Sequence, residues 1–444
     1  MKKTEEGLIR GIRRWDLLAI AINGIIGAGI FGLPSDVYGR IGSYSLIAFA
    51  ACALVVTLII VCFAEVGSRF NETGGPYLYS RIAFGSTVGF EVGWLIWLAR
   101  LTAFAANCNL LVSYLGYFWP DATAGTQRAV IIVVVVVSLT SVNLVGVRET
   151  AMVSNVFTIG KLVPLLVFVG AGLFFLNPQN YSFAAQPEYA PFSQSVLKLI
   201  YAFTGFEMAA IPAGETRDPR RHLPFALLIA IGVVAILYVL IQLICIGTFP
   251  GLAGSQRPLA DAATQFLGGP GGAIISAGAL ISIIGNLNIV LLSGSRVPFA
   301  MAEHKQLPAF VARVHQRFFT PYVAILITAA VMLVLTLSAT FIRALTISAI
   351  ARLVTYAATC AALLVFRRRK DVPAARFKVR GGTIAAIASL ILAAWLLSNS
   401  TGAEARDASI AAAVGIVIYF AYRLGVRRRR DHPKHTEEME TKQV

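Results

Sequence analysis

The chain has 444 residues, 57% of them hydrophobic and only 14% charged, and its mean hydropathy is +0.73, a balance that excludes an ordinary soluble domain. Its net charge of +16 would suit nucleic acid, but the cations gather in alternate loops between apolar runs, which argues against that partner and for a polytopic membrane protein. Cys52, Cys62, Cys108, Cys245 and Cys360 all fall inside apolar runs without metal or redox spacing, so they read as buried fillers and imply no cofactor.

A membrane-crossing helix needs about 20 apolar residues. Twelve runs qualify, at 15–40, 44–67, 87–117, 128–147, 151–176, 194–215, 224–249, 272–300, 322–340, 343–366, 382–399 and 408–425. Residues 1–14 form a basic leader with Lys2, Lys3, Arg10, Arg13 and Arg14. The first run has the look of a signal peptide but no convincing cleavage site, so it reads as a retained helix. It is interrupted by Ile25-Ile26-Gly27-Ala28-Gly29-Ile30-Phe31-Gly32. After the second run the chain should turn sharply at Gly74-Gly75-Pro76 and then form a short amphipathic helix at the membrane interface. The third run carries Arg100 and the fifth Lys161; the sixth is interrupted at Phe203-Thr204-Gly205-Phe206-Glu207. Asn286, Asn288 and Arg296 lie in the eighth and Arg352 in the tenth.

Basic residues follow even-numbered runs: Arg217, Arg220 and Arg221, then Lys305, Arg313 and Arg317, then the cluster from Arg367 to Arg380, then Arg427 to Arg430. The positive-inside rule then makes both termini cytoplasmic, in a multi-pass protein of the cell membrane whose surroundings are lipid. The tail, 426–444, is rich in Lys, Glu and Thr and is expected to be disordered. Two interrupted runs, five runs apart, predict an all-α fold of about twelve transmembrane helices built as a five-plus-five inverted repeat. The first repeat spans 15–176 and the second 194–366, and runs at 382–425 serve as scaffold or oligomer contact. Such paired interruptions point to a secondary transporter with its site near mid-membrane.

The Gly27-Ala28-Gly29-Ile30-Phe31 interruption resembles the Gly-x-Gly-Ile-Phe element of the amino acid-polyamine-organocation (APC) superfamily. Thr73-Gly74-Gly75-Pro76-Tyr77, Gly205-Phe206-Glu207 and Gly214-Glu215-Thr216-Arg217-Asp218-Pro219 follow in the order that family shows. The resemblance implies a leucine-transporter-like fold and a bacterial-type, sodium-independent amino acid permease. It implies that the substrate carboxylate meets the amides of Gly27, Ala28 and Gly29. Physical chemistry agrees, because a helix N-terminus favours an anion and glycine admits close approach. The substrate ammonium is implied at the carbonyls around Tyr201, Phe203, Thr204 and Gly205, where a helix C-terminal end is partly negative. A close helix-packing motif is the alternative for the glycine run.

Lys161 is similar to the lysine that sodium-independent members carry in span 5 in place of bound sodium. It reads as a proton-coupling group or as a fixed strut against span 1, with snorkelling as the third option. Glu207 matches an acidic family position and is either proton-sensitive or a brace for the unwound segment. Arg100 departs from the family pattern. Its charge is permanent, so it needs a carboxylate, carbonyls or water; Glu207 and Glu91 are candidate partners for a structural ion pair, and substrate contact is the alternative. Tyr201 is a gate or core filler; Ile25, Asn286 and Asn288 are pocket candidates; Arg296 and Arg352 are gate or pairing residues.

The favoured function is secondary active transport of neutral amino acids by alternating access, with protons as symported ion or by exchange. A polyamine, ethanolamine or cationic amino acid antiporter is the alternative. A nutrient-binding receptor without transport is the reading from a different class. An enzyme is disfavoured: no His-Glu-x-x-His helix occurs and all five histidines lie in predicted loops or the tail.

Overall fold

The computed structural model describes residues 12–431 apart from 73, 146–150, 185 and 319, and does not describe the side chains of 151–159, 211, 212, 214, 215 and 425–431. Lys2, Lys3, Arg10, Thr73 and the tail from 432 onward, together with the Glu215 and Arg427 to Arg430 side chains, therefore lie outside the described residues.

Among the described residues the chain is helical throughout, with one isolated bridge between Ile12 and Thr216. It opens with α1 (Arg14–Ile25) and α2 (Ala28–Ile41), followed by α3 (Ser45–Gly67), α4 (Gly75–Phe84), α5 (Ser86–Leu115), α6 (Gly125–Val145) and α7 (Ala151–Gly172). α8 (Tyr189–Phe203) ends at a second interruption and leads into a 3-10 helix, Phe206–Glu215. Then come α9 (Pro219–Thr248), α10 (Pro258–Glu303), α11 (Tyr322–Ser338), α12 (Phe341–Arg368), α13 (Gly382–Ser398) and α14 (Gly402–Asp431). Among the described residues seven helical stretches are long and apolar enough to cross a membrane, the first being the run Arg14–Gly67 that holds α1 to α3. Gly160–Phe175, Tyr322–Ser338 and Gly382–Ser398 are shorter apolar helices.

Local chemistry explains where these elements differ from the sequence-based boundaries. α4 begins at the predicted turn, because Gly74 and Gly75 take φ of 140° and 53° and Pro76 occupies the first turn, where its missing N–H costs nothing. The sixth run does not continue as α-helix beyond its break; Pro212 and Gly214 disfavour the α-helical ladder and the segment winds as 3-10. α10 starts at Pro258, well before residue 272, and bends at Gly268 (φ 69°) ahead of Gly269-Pro270. α14 continues to Asp431, so residues 426–431 are helical where a disordered tail was expected; arginine is a good helix former and no proline occurs between 402 and 432.

α5 packs against α10, α11 and α12, while α3 packs against α9 and α8. α1 lies against α9, α7 and the 3-10 helix, and α2 against α8 and α10, so both interruptions sit in the middle of the bundle. Apolar side chains such as Leu54, Val134, Ile236, Ile384 and Val417 point outward, a surface suited to lipid and not to water.

One end of the bundle is clasped by charge. Fully buried Glu65 on α3 accepts two hydrogen bonds from Arg367 of α12, at 2.8 and 2.6 Å, and one from the Val379 amide at 3.0 Å. Nearby, Ser68 Oγ accepts from the Phe377 amide at 3.1 Å, Arg220 Nε donates to the Ser68 carbonyl at 2.9 Å, and Arg376 pairs with Asp218 at 3.2 Å. The segment between α12 and α13 is thereby tied to the ends of α3 and α9. Arg367 is 18% exposed and also donates to Val379 O, so losing Glu65 costs less than the ~3–5 kcal/mol of breaking a fully buried pair but removes the acceptor that holds Arg367 and the Val379 amide together. Glu65→Ala is therefore expected to lower the melting temperature of the purified protein by several degrees, and a wild-type melting curve for this variant would remove the clasp from the stabilising interactions.

Candidate functional site

The break between α1 and α2 is made by two residues. The Ile26 amide closes the last turn onto Ile22 O at 2.9 Å, Gly27 is extended (φ −121°, ψ −152°), and α2 starts at Ala28 without a side-chain cap. Four α1 carbonyls would go unpaired in an apolar core. Here fully buried Lys161 of α7 donates to Ile26 O at 3.0 Å, to Asn23 O at 3.3 Å and to Asn23 Oδ1, and the Tyr238 hydroxyl donates to Ile25 O at 3.2 Å. All three ammonium hydrogens have acceptors, and a cation at a helix C-terminus also meets the favourable end of its dipole.

The break after α8 is repaired differently. Thr204 is extended and its hydroxyl donates back to Tyr201 O at 2.8 Å, while Gly205 takes φ of 106°, a conformation L side chains rarely adopt. The Gly205 amide donates to Glu207 Oε2 at 2.9 Å. The same carboxylate accepts from Tyr356 OH at 2.7 Å and from Arg352 Nη1. Glu207 thus braces the unwound turn, through Arg352 and Tyr356 of α12.

The two breaks meet backbone to backbone. A Cβ on Gly24 would stand 2.5 Å from Gly205 O, and one on Gly205 would stand 2.1 Å from Gly24 O. Between them is a small cavity of about 20 Å³, lined by Gly24, Ile25, Gly27, Ala28, Gly29, Tyr201, Thr204 and Gly205 together with Ala103, Asn107, Met208, Asn286, Val290 and Arg352. That is room for little more than one water molecule. Its polar wall is a chain: Tyr201 OH donates to Asn107 Oδ1, and Asn107 Nδ2 donates to Asn286 Oδ1 at 2.6 Å. Asn286 Nδ2 lies 3.1 Å from where a Gly27 side chain would begin. Toward the C-terminal end of α2 an open recess of about 810 Å³ holds Asp36, Arg40, Arg128 and Phe341. A Cβ on Gly32 would stand 2.6 Å from the Phe341 ring, so that ring packs tightly against α2 beside the recess.

The candidate residues therefore divide. Gly27, Ala28, Gly29, Ile25, Tyr201, Thr204, Gly205 and Asn286 line the cavity. Phe203 does not: its ring packs into Phe49 and Tyr238, with centroids 6.5 and 5.0 Å away. Asn288, two residues and so just over half a helical turn from Asn286, instead accepts from Asn143 Nδ2 of α6 at 2.9 Å. Lys161 lies beneath the α1 break and does not line the cavity. Arg100 pairs with neither Glu207 nor Glu91; its Nη1 donates to Ser293 Oγ at 2.7 Å, and Arg352 takes Glu207. Asn107 was missed by the sequence reading, although an amide within the apolar run Phe104-Ala105-Ala106 is a signal of its own, since polar groups inside lipid need partners. Among the described residues no three His, Cys, Asp or Glu side chains group to hold a metal ion.

Comparison with known proteins agrees on one family. The profile of the amino acid permease family matches residues 12–420. The chain is 26% identical to the methylthioribose transporter of Bacillus subtilis and 27% identical to its branched-chain amino acid permease, each comparison covering 94% of both chains. It is 30% identical to the serine/threonine exchanger of the same organism over 76% of this chain and 78% of that one.

The contact between Gly24 and Gly205 gives a direct test. Gly205→Ala adds a methyl group against a carbonyl at a φ that costs about 1–3 kcal/mol for a side chain, so it should unseat the Glu207 brace and abolish ligand-induced thermal stabilisation. A variant that folds and keeps full ligand stabilisation would show that the close approach is dispensable.

Proposed function

Because the chain belongs to the amino acid permease family, within the amino acid-polyamine-organocation superfamily, we propose that this transporter carries amino acids across the cell membrane by alternating access without sodium. In this reading α1 and α2 are one discontinuous span and α8 with the 3-10 helix another. Twelve spans then form two inverted repeats, 15–176 and 194–366, followed by 382–425, with both termini cytoplasmic. The single observation that carries the reading is the small cavity that both breaks line.

The substrate carboxylate is assigned to the amides of Gly27, Ala28 and Gly29 at the uncapped start of α2, where exposed N–H groups and the helix dipole favour an anion. The substrate ammonium is assigned to the backbone of Tyr201, Thr204 and Gly205 at the end of α8. Tyr201, hydrogen-bonded to Asn107, serves as the lid. Asn107 and Asn286 face the cargo side chain and carry no charge, and Arg352 beside them is already neutralised by Glu207. A small neutral amino acid fits this wall, and the resemblance to a branched-chain permease and to a serine/threonine exchanger supports neutral cargo. The match to a methylthioribose transporter favours a second reading, an uncharged sugar-like cargo held by the same amides.

Lys161 takes the part of a bound cation between α1 and α7. Its three acceptors favour a fixed strut, and a proton leaving it during the cycle would take away one of its three donors and the charge, loosening the tie between α1 and α7. Two measurements test these assignments. In a competition screen, amino acids should displace a bound neutral amino acid while their decarboxylated amines compete at least about tenfold more weakly, the equivalent of 1.4 kcal/mol; equal competition would shift the reading to an amine carrier. In proteoliposomes, Lys161→Ala should lose uptake driven by a pH gradient while retaining measurable binding if the lysine couples protons, whereas undiminished accumulation would reject that role. Uptake into preloaded vesicles alone identifies exchange.

A further inference from the structure

The polar wall of the cavity between the breaks is not fully spent. Tyr201 OH, Thr204 Oγ, Asn107 Oδ1 and Asn286 Oδ1 each already share a hydrogen bond. Among the described residues two side-chain nitrogens of that wall have no partner, Nδ2 of Asn286 and Nη2 of Arg352. Arg352 commits Nη1 to Glu207 and directs Nε at Ser348 Oγ, 3.4 Å away, while Asn286 uses only its oxygen. Neither nitrogen is sealed in protein as Nε and Nη2 of Arg100 are. Both residues are only 5% exposed and both line the cavity, so the surface they keep opens into it.

The two donors serve different parts of a guest. Asn286 Nδ2 is 3.1 Å from where a Gly27 side chain would begin, beside the amides assigned to the carboxylate. With carboxylate and ammonium held by the two breaks, a cargo side chain meets the wall that continuous helices supply, including Ala103 of α5, Val290 of α10 and Arg352 of α12. The first two are small and aliphatic; the third is a guanidinium. Its place is fixed from two sides. Nη1 is held by Glu207, and Ser348, one turn earlier on α12, donates to Ala99 O of α5 at 2.7 Å, one turn from Ala103. Glu207 offsets the charge, so a guest needs none, but the planar fork still offers a directed N–H. A guest without an acceptor would shut that donor away from water unpaired, which costs free energy.

We propose that Arg352 is a specificity-determining ligand of the cargo, its Nη2 donating to an oxygen on the cargo side chain. The substrate class is then small neutral amino acids whose side chain carries a hydroxyl, ether or carboxamide oxygen, bound in preference to aliphatic ones of the same shape. This rests on the transport reading above and narrows it.

The test is competition against tritiated L-threonine on the full chain in lipid nanodiscs. Threonine and valine have nearly the same shape and differ by the hydroxyl, so threonine should displace the label at a concentration at least about tenfold lower than valine. O-methylserine and norvaline form a second matched pair, differing by an ether oxygen that accepts but cannot donate. O-methylserine should win by a similar factor, because the protein supplies the donor. Arg352→Lys keeps a cation for Glu207 and removes the second arm of the fork. It should bring the threonine-to-valine ratio below about threefold, whereas a purely structural loss would weaken both amino acids and keep the ratio. Should Arg352→Lys fail to fold, the two matched pairs on the wild-type protein decide. Valine as good as threonine, norvaline as good as O-methylserine, an unchanged ratio in Arg352→Lys, or L-aspartate displacing the label better than threonine each overturns the proposal. Valine matching threonine leaves the transport reading standing, whereas binding of no amino acid at all removes both, so the two failures are told apart.

Discussion

A backbone surrounded by hydrocarbon has no water to complete its hydrogen bonds, and each bare amide or carbonyl costs several kcal/mol. This protein unwinds its chain twice in that setting, and the rest of its core is arranged around the repair. At the first break a lysine and a tyrosine from other helices satisfy carbonyls of α1. At the second a threonine hydroxyl and a glutamate from the same segment satisfy Tyr201 O and the Gly205 amide. α2 itself starts without a side-chain cap, beside the cavity that both breaks line.

The Glu207–Arg352 pair follows from the same constraint. A carboxylate placed to hold the Gly205 amide brings a charge into the core, and that charge demands a cation. Arg352 and Tyr356, four residues apart on one face of α12, answer it together. The unwound turn is therefore fixed to α12 as well as to its own helix. Arg100, close by, hydrogen-bonds only a hydroxyl, Ser293 Oγ.

Both breaks were legible in the sequence because glycines within long apolar runs have few other reasons to cluster, and the α4 turn was legible because Gly74-Gly75-Pro76 permits little else. The cavity lining could be read for residues whose backbone carries the role. Side chains on continuous helices were harder. Asn286 and Asn288 differ by about 200° of rotation, and nothing in their identity says which faces inward. Likewise the choice of Arg352 over Arg100 as the partner of Glu207 depends on the phases of α5 and α12, which packing sets. The 3-10 winding after Gly205 and the early start of α10 reflect local proline and glycine chemistry that overall hydropathy averages away.

The clasp formed by Glu65, Arg367 and Val379 lies near one extremity of α3. Any tilt of α3 against α12 that leaves these bonds intact must pivot there. Ser45 is 20 residues away, about 30 Å along the helix, so a tilt of about 10° would carry that far extremity some 5 Å sideways while Glu65 stays put. A fulcrum placed at one margin turns a small rotation into wide travel at the other, and the greatest displacement then falls at Ser45, whose hydroxyl accepts from Gln242 Nε2 of α9 at 2.8 Å.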